Sequence, residues 1–373
     1  MRPPASRLPA APTPLDCGGP PPRMPPAPTF LLLRRRYLGD VVLLGAVARN
    51  LRQHRPDARI HLVTEATYAG LAPLQPELTG VLAFPRRATE WPGFVRRLRA
   101  LRATHALDFD NTERTALVTR LSGAPVRATF DRELIPHRWP RLYTHAAKVT
   151  NAFYDSHPII DTYLALPAAL GVPVVERTPR LVPLASDLAA AARLTGGPRT
   201  ADPRRPRRVL VHPGSRSPFR LWPAERFAAV CDRLQDELDA QVFLTAGPGE
   251  EALVDALRRA ARTHLVTLRP LTTPGALAAL AAQCDVFLGH DSGPMHVAAA
   301  AGTPVVALFG GQNATIWRPP GAGHTVLQAS LPCACLGASA PGPCVPGDSY
   351  RSYCVRHLDV PAVFAAVAAT LAR

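Results

Sequence analysis

The chain has 373 residues, 47% of them hydrophobic, with a formal net charge of +15. Its longest apolar stretches, Val41 to Ala48 and Pro361 to Ala372, fall short of the ~20 residues that span a bilayer, which excludes a transmembrane helix. Arginine carries the positive charge, Lys148 being the only lysine, and no RNP, zinc-finger or long basic-helix motif accompanies it, which disfavours nucleic acid as the partner.

Residues 1–28 hold eleven prolines and no apolar h-region. They read as a disordered leader rather than a secretory signal, with Met24 as a second candidate start. A cytoplasmic protein whose cysteines are thiols or ligands is the corresponding expectation.

The length exceeds a usual single domain of roughly 100–200 residues, so two domains are expected. From Phe30 short apolar runs alternate with helix-period segments: "FLLLRR", "VVLLGAVARNLRQ", "RIHLVT", "VLAFP", "WPGFVRRLRALRA" and "HALDFD". Strand, helix, strand in this order predicts a parallel sheet with crossover helices over residues 29–185. Residues 186–208 lose the periodicity and end in "TGGPRTADPRRPRR", which reads as a linker. Nine further segments, from "RVLVHPG" to "PVVALFG", repeat the alternation and place a second α/β domain at 209–373. Two doubly wound domains would bind ligands outside the carboxyl ends of their strands, across a cleft.

Four loops leave apolar strands with polar or glycine residues. In "RRRYLGD" Asp40 reads either as the N-cap of the next helix or as a carboxylate at the cleft mouth able to accept a hydroxyl proton. In "HPGSRSPFRLWP" Gly214 permits a close turn, Ser215 and Ser217 offer hydroxyls, and Arg216 and Arg220 suit phosphate oxygens; the alternative is a surface loop anchored by Trp222. In "TAGPGEE" Glu250 reads either as a ribose ligand or as an acid favoured at a helix start. In "HDSGPMH" Ser292, Gly293 and Pro294 suit a helix start, whose free N–H groups attract a diphosphate. A capped core helix would not require Asp291 and His296, and His290 has no evident role. Walker A, G-x-G-x-x-G, G-x-S-x-G and H-E-x-x-H motifs are absent, which removes support for P-loop hydrolysis, classical NAD chemistry, α/β-hydrolase and zincin readings.

Together "YLGDVVLLGAV", "HPGSRSPFRLWP", "AGPGEE" and "DSGPMHVAAAAGTPVVALFG" resemble glycosyltransferase family 9, the lipopolysaccharide heptosyltransferases, over roughly residues 29–373. The resemblance implies a GT-B fold and inverting, metal-independent transfer of heptose from ADP-heptose to a lipid A and inner-core acceptor, with no cofactor. It assigns Asp40 as the general base, Asp291, Ser292, Gly293 and His296 to the donor sugar and diphosphate, Ser215 to phosphate and Glu250 to the adenosine ribose. The lysine the family carries two residues before "WP" is replaced here by Arg220, which keeps the charge needed at the leaving group but changes its shape. Rival readings are a GT-B transferase or epimerase using another nucleotide sugar, and a noncatalytic nucleotide-sugar-binding protein.

Cys333, Cys335, Cys344 and Cys354 form a weak zinc candidate, since their spacing lacks paired C-x2-C knuckles. Arg86, Arg87, Arg96, Arg97 and Arg99 suit an anionic glycolipid at a membrane surface, with peripheral contact at the inner membrane, or, for the last three, a solvated helix face.

Overall fold

The computed structural model describes residues 24–25, 27–136, 139–200, 202, 204–217, 220–268, 273–332 and 351–373. The first half runs β1 (Thr29–Leu33), α1 (Leu38–His54), β2 (Arg59–Glu65), β3 (Gly80–Phe84), α2 (Trp91–Ala100), β4 (His105–Asp108), α3 (Glu113–Leu121), β5 (Val126–Arg132) and β6 (His145–Val149). Helices α4 (Asn151–Ser156) and α5 (Ile159–Ala168) come next, and α6 (Ala185–Leu194) leads to the second half. There β7 (Arg208–His212), α7 (Ala224–Leu238), β8 (Gln241–Thr245), α8 (Glu251–Ala260), β9 (Val266–Leu268), α9 (Pro274–Ala282), β10 (Val286–His290), α10 (Gly293–Ala300), β11 (Val305–Phe309), α11 (Ala314–Trp317) and β12 (Thr325–Gln328) repeat the plan. A short antiparallel pair, β13 (Ser330–Pro332) with β14 (Arg351–Tyr353), precedes α12 (Val360–Leu371).

The two large sheets are wholly parallel, ordered β3-β2-β1-β4-β5-β6 and β12-β11-β10-β7-β8-β9. Counted from the first strand of each half, the two orders are the same doubly wound order. Their central strands are apolar runs buried along their whole length, as β1 and β11 are, because helices cover both faces. Both expected α/β halves and their alternation are therefore present. No helix among the described residues is long and apolar enough to cross a membrane.

The stretch read as linker behaves differently. Most of α6 lies inside it and packs on α9. Its alanine-rich run forms helix readily, and the Gly/Pro/Arg composition that suggested a linker is confined to the segment after Leu194. Even that part is tethered: Arg199 and Arg205 form ion pairs with the buried carboxylate of Asp285, which also accepts the Arg208 N–H. Of the proline-rich leader, residues 1–23 and 26 lie outside the described residues.

Apolar residues bury in three clusters. One lies under α2 and α3 on the outer face of the first sheet, and another under α7, α8 and α12 on the outer face of the second. The third is continuous from the first sheet through α1, α9 and α10 to the second, so the two halves share one core below the cleft. Small residues make that contact close. A Cβ added at Gly39 would lie 2.7 Å from the His296 ring, and one added at Gly293 would lie 2.8 Å from the Leu38 Cβ. Gly39→Ala and Gly293→Ala should each lower stability by about 1–3 kcal/mol through overpacking, measured as reduced unfolding free energy in urea. Wild-type stability in both would mean that the helices separate without cost.

Candidate functional site

In each sheet the strand order reverses direction at its centre, between β1 and β4 and between β7 and β10. Loops leaving the carboxyl ends of such strands open a crevice that no helix covers. Here the crevices of the two halves face each other, and together they form a cleft of about 490 Å³. The nine residues assigned to catalysis or donor binding from sequence line it: Asp40, Gly214, Ser215, Arg220 and Glu250, together with Asp291, Ser292, Gly293 and His296; Arg216 lines it too, and Ser217 does not.

On the first-half side, α1 begins at Leu38, with Tyr37 in the N-cap position at φ 73°. Asp40 is thus inside the first helical turn and makes no capping hydrogen bond, so the N-cap reading is corrected. An apolar run hid the start, since Leu38 and Gly39 carry no start signal of their own. The Asp40 carboxylate is buried, paired with Arg34 at 2.8 Å and accepting the Tyr163 hydroxyl at 2.6 Å. The ring of Tyr37 leans across the cleft beneath the Arg216 guanidinium, 4.2 Å from its centroid.

On the second-half side, Gly214 is needed because the Glu250 carboxylate occupies the place of its missing Cβ, 2.1 Å from where that atom would sit. Glu250 accepts the Gly247 N–H at 2.8 Å and lies 3.3 Å from His212 Nε2. Burial opposes its ionisation, but the hydrogen bond and charge of His212 and the Gly247 N–H prevail and hold it below the usual carboxylate range. Arg220 pairs with Asp291 at 3.0 Å. Burial nevertheless leaves Asp291 above its ordinary range, against the opposing charges of Arg220 and Arg216.

Ser292 occupies the N-cap position of α10 in extended conformation, yet its hydroxyl caps nothing. That oxygen is buried without a hydrogen-bond partner, as are His296 Nδ1 and His212 Nδ1. Buried polar atoms are ordinarily paired. Ser292, His296 and His212 all line the cleft, and the positive end of α10, which Ser292 precedes, suits an anionic ligand.

His290, which the sequence left without a role, is a structural pin. Its Nε2 accepts the Trp222 N–H at 2.8 Å, and its Nδ1 lies 3.3 Å from the Gly214 carbonyl, which it can meet only as the N–H donor. It therefore ties both ends of the "HPGSRSPFRLWP" loop to β10. Trp222 is buried and donates its indole N–H to the Leu358 carbonyl, as a core anchor would.

Arg34, Tyr163, Tyr37, His212, Gln312 and Trp317 also belong to the site or its support, and sequence reasoning missed them. Tyr163 and Trp317 lie in helices far along the chain, where no local pattern marks them. Arg34 and His212 at strand ends were detectable from position alone. On α2, Phe94 and Leu98 are buried while Arg96, Arg97 and Arg99 are exposed, a solvated face. Cys333, Cys335 and Cys344 lie outside the described residues, and Cys354 is buried.

The family model described as glycosyltransferase family 9 (heptosyltransferase) matches residues 92–340. Lipopolysaccharide heptosyltransferase 3 of Escherichia coli (strain K12) is 28% identical over 300 residues, 76% of this chain and 83% of that protein. Among solved structures, a glycosyl transferase family 9 protein from Veillonella parvula superposes with a TM-score of 0.77 at 20% identity, covering 94% of this chain and 99% of the other. The E. coli ADP-heptose lps heptosyltransferase II superposes at 0.73 and 21% identity, covering 92% and 98%. Both share the two-domain GT-B fold with this chain.

Burial lowers His290 and His296 to about 4, so both are neutral in the fold, whereas in the unfolded chain they titrate near 6.5. Unfolding then takes up protons between these values, and their contribution is lost as the pH falls from about 6.5 towards 4. Asp108, which burial raises to about 6, acts in the opposite direction. His296→Asn should therefore remove on the order of 1–2 kcal/mol of the stability difference between pH 7.5 and pH 5, measured by urea unfolding. The same pH dependence in variant and wild type would mean that His296 does not titrate on unfolding.

Proposed function

The chain belongs to glycosyltransferase family 9, and from that premise we propose that it transfers a heptose from ADP-heptose to a hydroxyl of a lipopolysaccharide core acceptor. Transfer inverts the anomeric carbon and needs no metal cofactor. The observation that carries the reading is the placement of the Asp40 carboxylate and the N-terminus of α10 in one cleft, on opposite halves of the molecule.

An inverting displacement needs a base for the attacking hydroxyl on one side and a stabilised leaving group on the other. Asp40 takes the proton as the acceptor oxygen bonds to the anomeric carbon. The bond from that carbon to the diphosphate breaks, and ADP leaves with the electron pair. Its developing charge meets the N–H groups of α10 and the guanidinium of Arg220, with Arg216 and Ser215 nearby. To reach a phosphate, Arg220 exchanges its contact with Asp291 for one with the diphosphate, and Asp291 turns to sugar hydroxyls. Glu250, ionised beside His212, accepts from ribose hydroxyls. These fixed and mobile positive groups serve the neutralising role that a metal ion has in other transferases. The ADP-heptose assignment draws on the similar E. coli heptosyltransferase II, which is named for that donor.

The acceptor is a glycolipid, and we place the enzyme at the cytoplasmic membrane surface as a peripheral protein. Support comes from the segment between β5 and β6, where Leu134 is 72%, Ile135 52% and Trp139 36% exposed, beside exposed Arg141. Apolar and aromatic side chains flanked by arginine suit the headgroup region of an anionic bilayer.

Two measurements test these readings. In a screen of ADP- and UDP-sugars against a truncated lipopolysaccharide core, release of ADP from ADP-heptose should dominate, and Asp40→Asn should lower it by roughly 10²–10⁴-fold with donor binding retained. Preferred turnover of a UDP-sugar would overturn the donor, and undiminished turnover in Asp40→Asn would overturn the base. In co-sedimentation with phosphatidylglycerol vesicles, the double substitution Leu134→Asp and Ile135→Asp should weaken binding about tenfold or more, each buried side chain being worth roughly 1.5–3 kcal/mol. Binding equal to wild type would remove this segment from the membrane contact.

A further inference from the structure

The carboxylate of Asp40 is more constrained than a proton acceptor at a cleft mouth requires. Its Oδ2 receives Arg34 Nη2 at 2.8 Å, and its Oδ1 receives the Tyr163 hydroxyl at 2.6 Å. The same guanidinium turns its other nitrogen to Asp110 Oδ1 at 2.9 Å and to the Phe109 carbonyl at 2.8 Å. Asp110 is fixed in turn, its Oδ2 accepting the Arg35 N–H at 2.6 Å. One arginine thus serves two carboxylates, Asp40 in the first turn of α1 and Asp110 in the loop after β4, and a tyrosine from α5 completes the set. The Tyr163 ring cannot swing away, because Phe109 packs edge-on against it and Phe130 stacks on it.

A guanidinium and a phenol donor favour the charged form of a carboxylate, and a second carboxylate on the same guanidinium acts in the opposite sense. Asp110 is that second carboxylate here. The other charged or titratable groups facing Asp40 come from the second half: His296 on α10, which burial keeps neutral, and Asp291 before it.

We propose that Tyr163 and the Arg34–Asp110 pair are positioning residues for the transfer reaction. Tyr163 and Arg34 hold the Asp40 carboxylate in one orientation at the cleft, and Asp110 shares the guanidinium that holds it. The inference rests on the reading of Asp40 as the base. A purely structural network tying β1, β4 and α5 together would use the same contacts but would not set the pH at which turnover begins.

Two near-isosteric substitutions separate these roles, because they act on Asp40 with opposite sign. Asp110→Asn leaves Arg34 wholly to Asp40, so the acid limb of the kcat profile should move about 1 pH unit lower, with a reduced plateau from the weaker base. Tyr163→Phe removes a donor to the ionised carboxylate, so the limb should move about 1 pH unit higher. KM for ADP-heptose should change little in either. A readout free of turnover is the ¹³C NMR titration of aspartate side-chain carboxyls, with the Asp40 resonance assigned through Asp40→Asn. It should show the same opposite displacements. Midpoints that stay fixed, or that move in the same direction while stability falls, would overturn the inference. If Asp40→Asn also keeps full turnover, the base reading itself fails; if that variant is inactive while both midpoints stay fixed, only the positioning role fails.

Discussion

The contact between the first turns of α1 and α10 is the constraint on which the site depends. These helices come from different halves, and each begins at the carboxyl end of a central strand. Glycine at 39 and at 293 allows them to meet with the His296 ring against one backbone and Leu38 against the other. Because each of these first turns also carries site residues, close helix packing and the meeting of Asp40 with Ser292 and Gly293 are one event. The shared apolar core beneath, through α9 and α10, gives the contact a rigid base.

Charge in the cleft obeys a single pattern. Each of three carboxylates lining the cleft has a basic partner: Asp40 with Arg34, Glu250 with His212 and Asp291 with Arg220. Buried ion pairs are poor sources of stability, since desolvation consumes much of their attraction. Their concentration here is better understood as a means of keeping charges at set positions. The pairs also differ in purpose. Asp40 is enclosed by donors that do not leave, whereas Arg220, partly exposed, has room to trade Asp291 for an anionic ligand.

Strands that are buried on both faces read as continuous apolar runs, and for that reason β1, β7, β10 and β11 stood out in the sequence. The loops after them could be located by position, and all nine site residues chosen there line the cleft. Reading failed where a local pattern has two meanings. Alanine-rich α6 shares a stretch with a Gly/Pro/Arg run, and the composition of the whole concealed the helix. Asp40 resembles an N-cap because nothing in "YLGD" shows that the helix starts earlier, directly after a residue with positive φ. His290 had no role that the sequence could supply, and its two ring nitrogens are found holding Trp222 and Gly214.

By itself the sequence determined the two parallel α/β halves and which strand ends carry polar loops, because periodicity and turn chemistry are local properties. The tertiary structure decided which of those loops meet. It brought Tyr163, over a hundred residues away, onto Asp40, and it stretched Arg34 between two carboxylates. It also turned His290 inward. Such partnerships depend on the order of strands across a sheet and on the approach of two helix ends, and neither is encoded within the reach of any short motif.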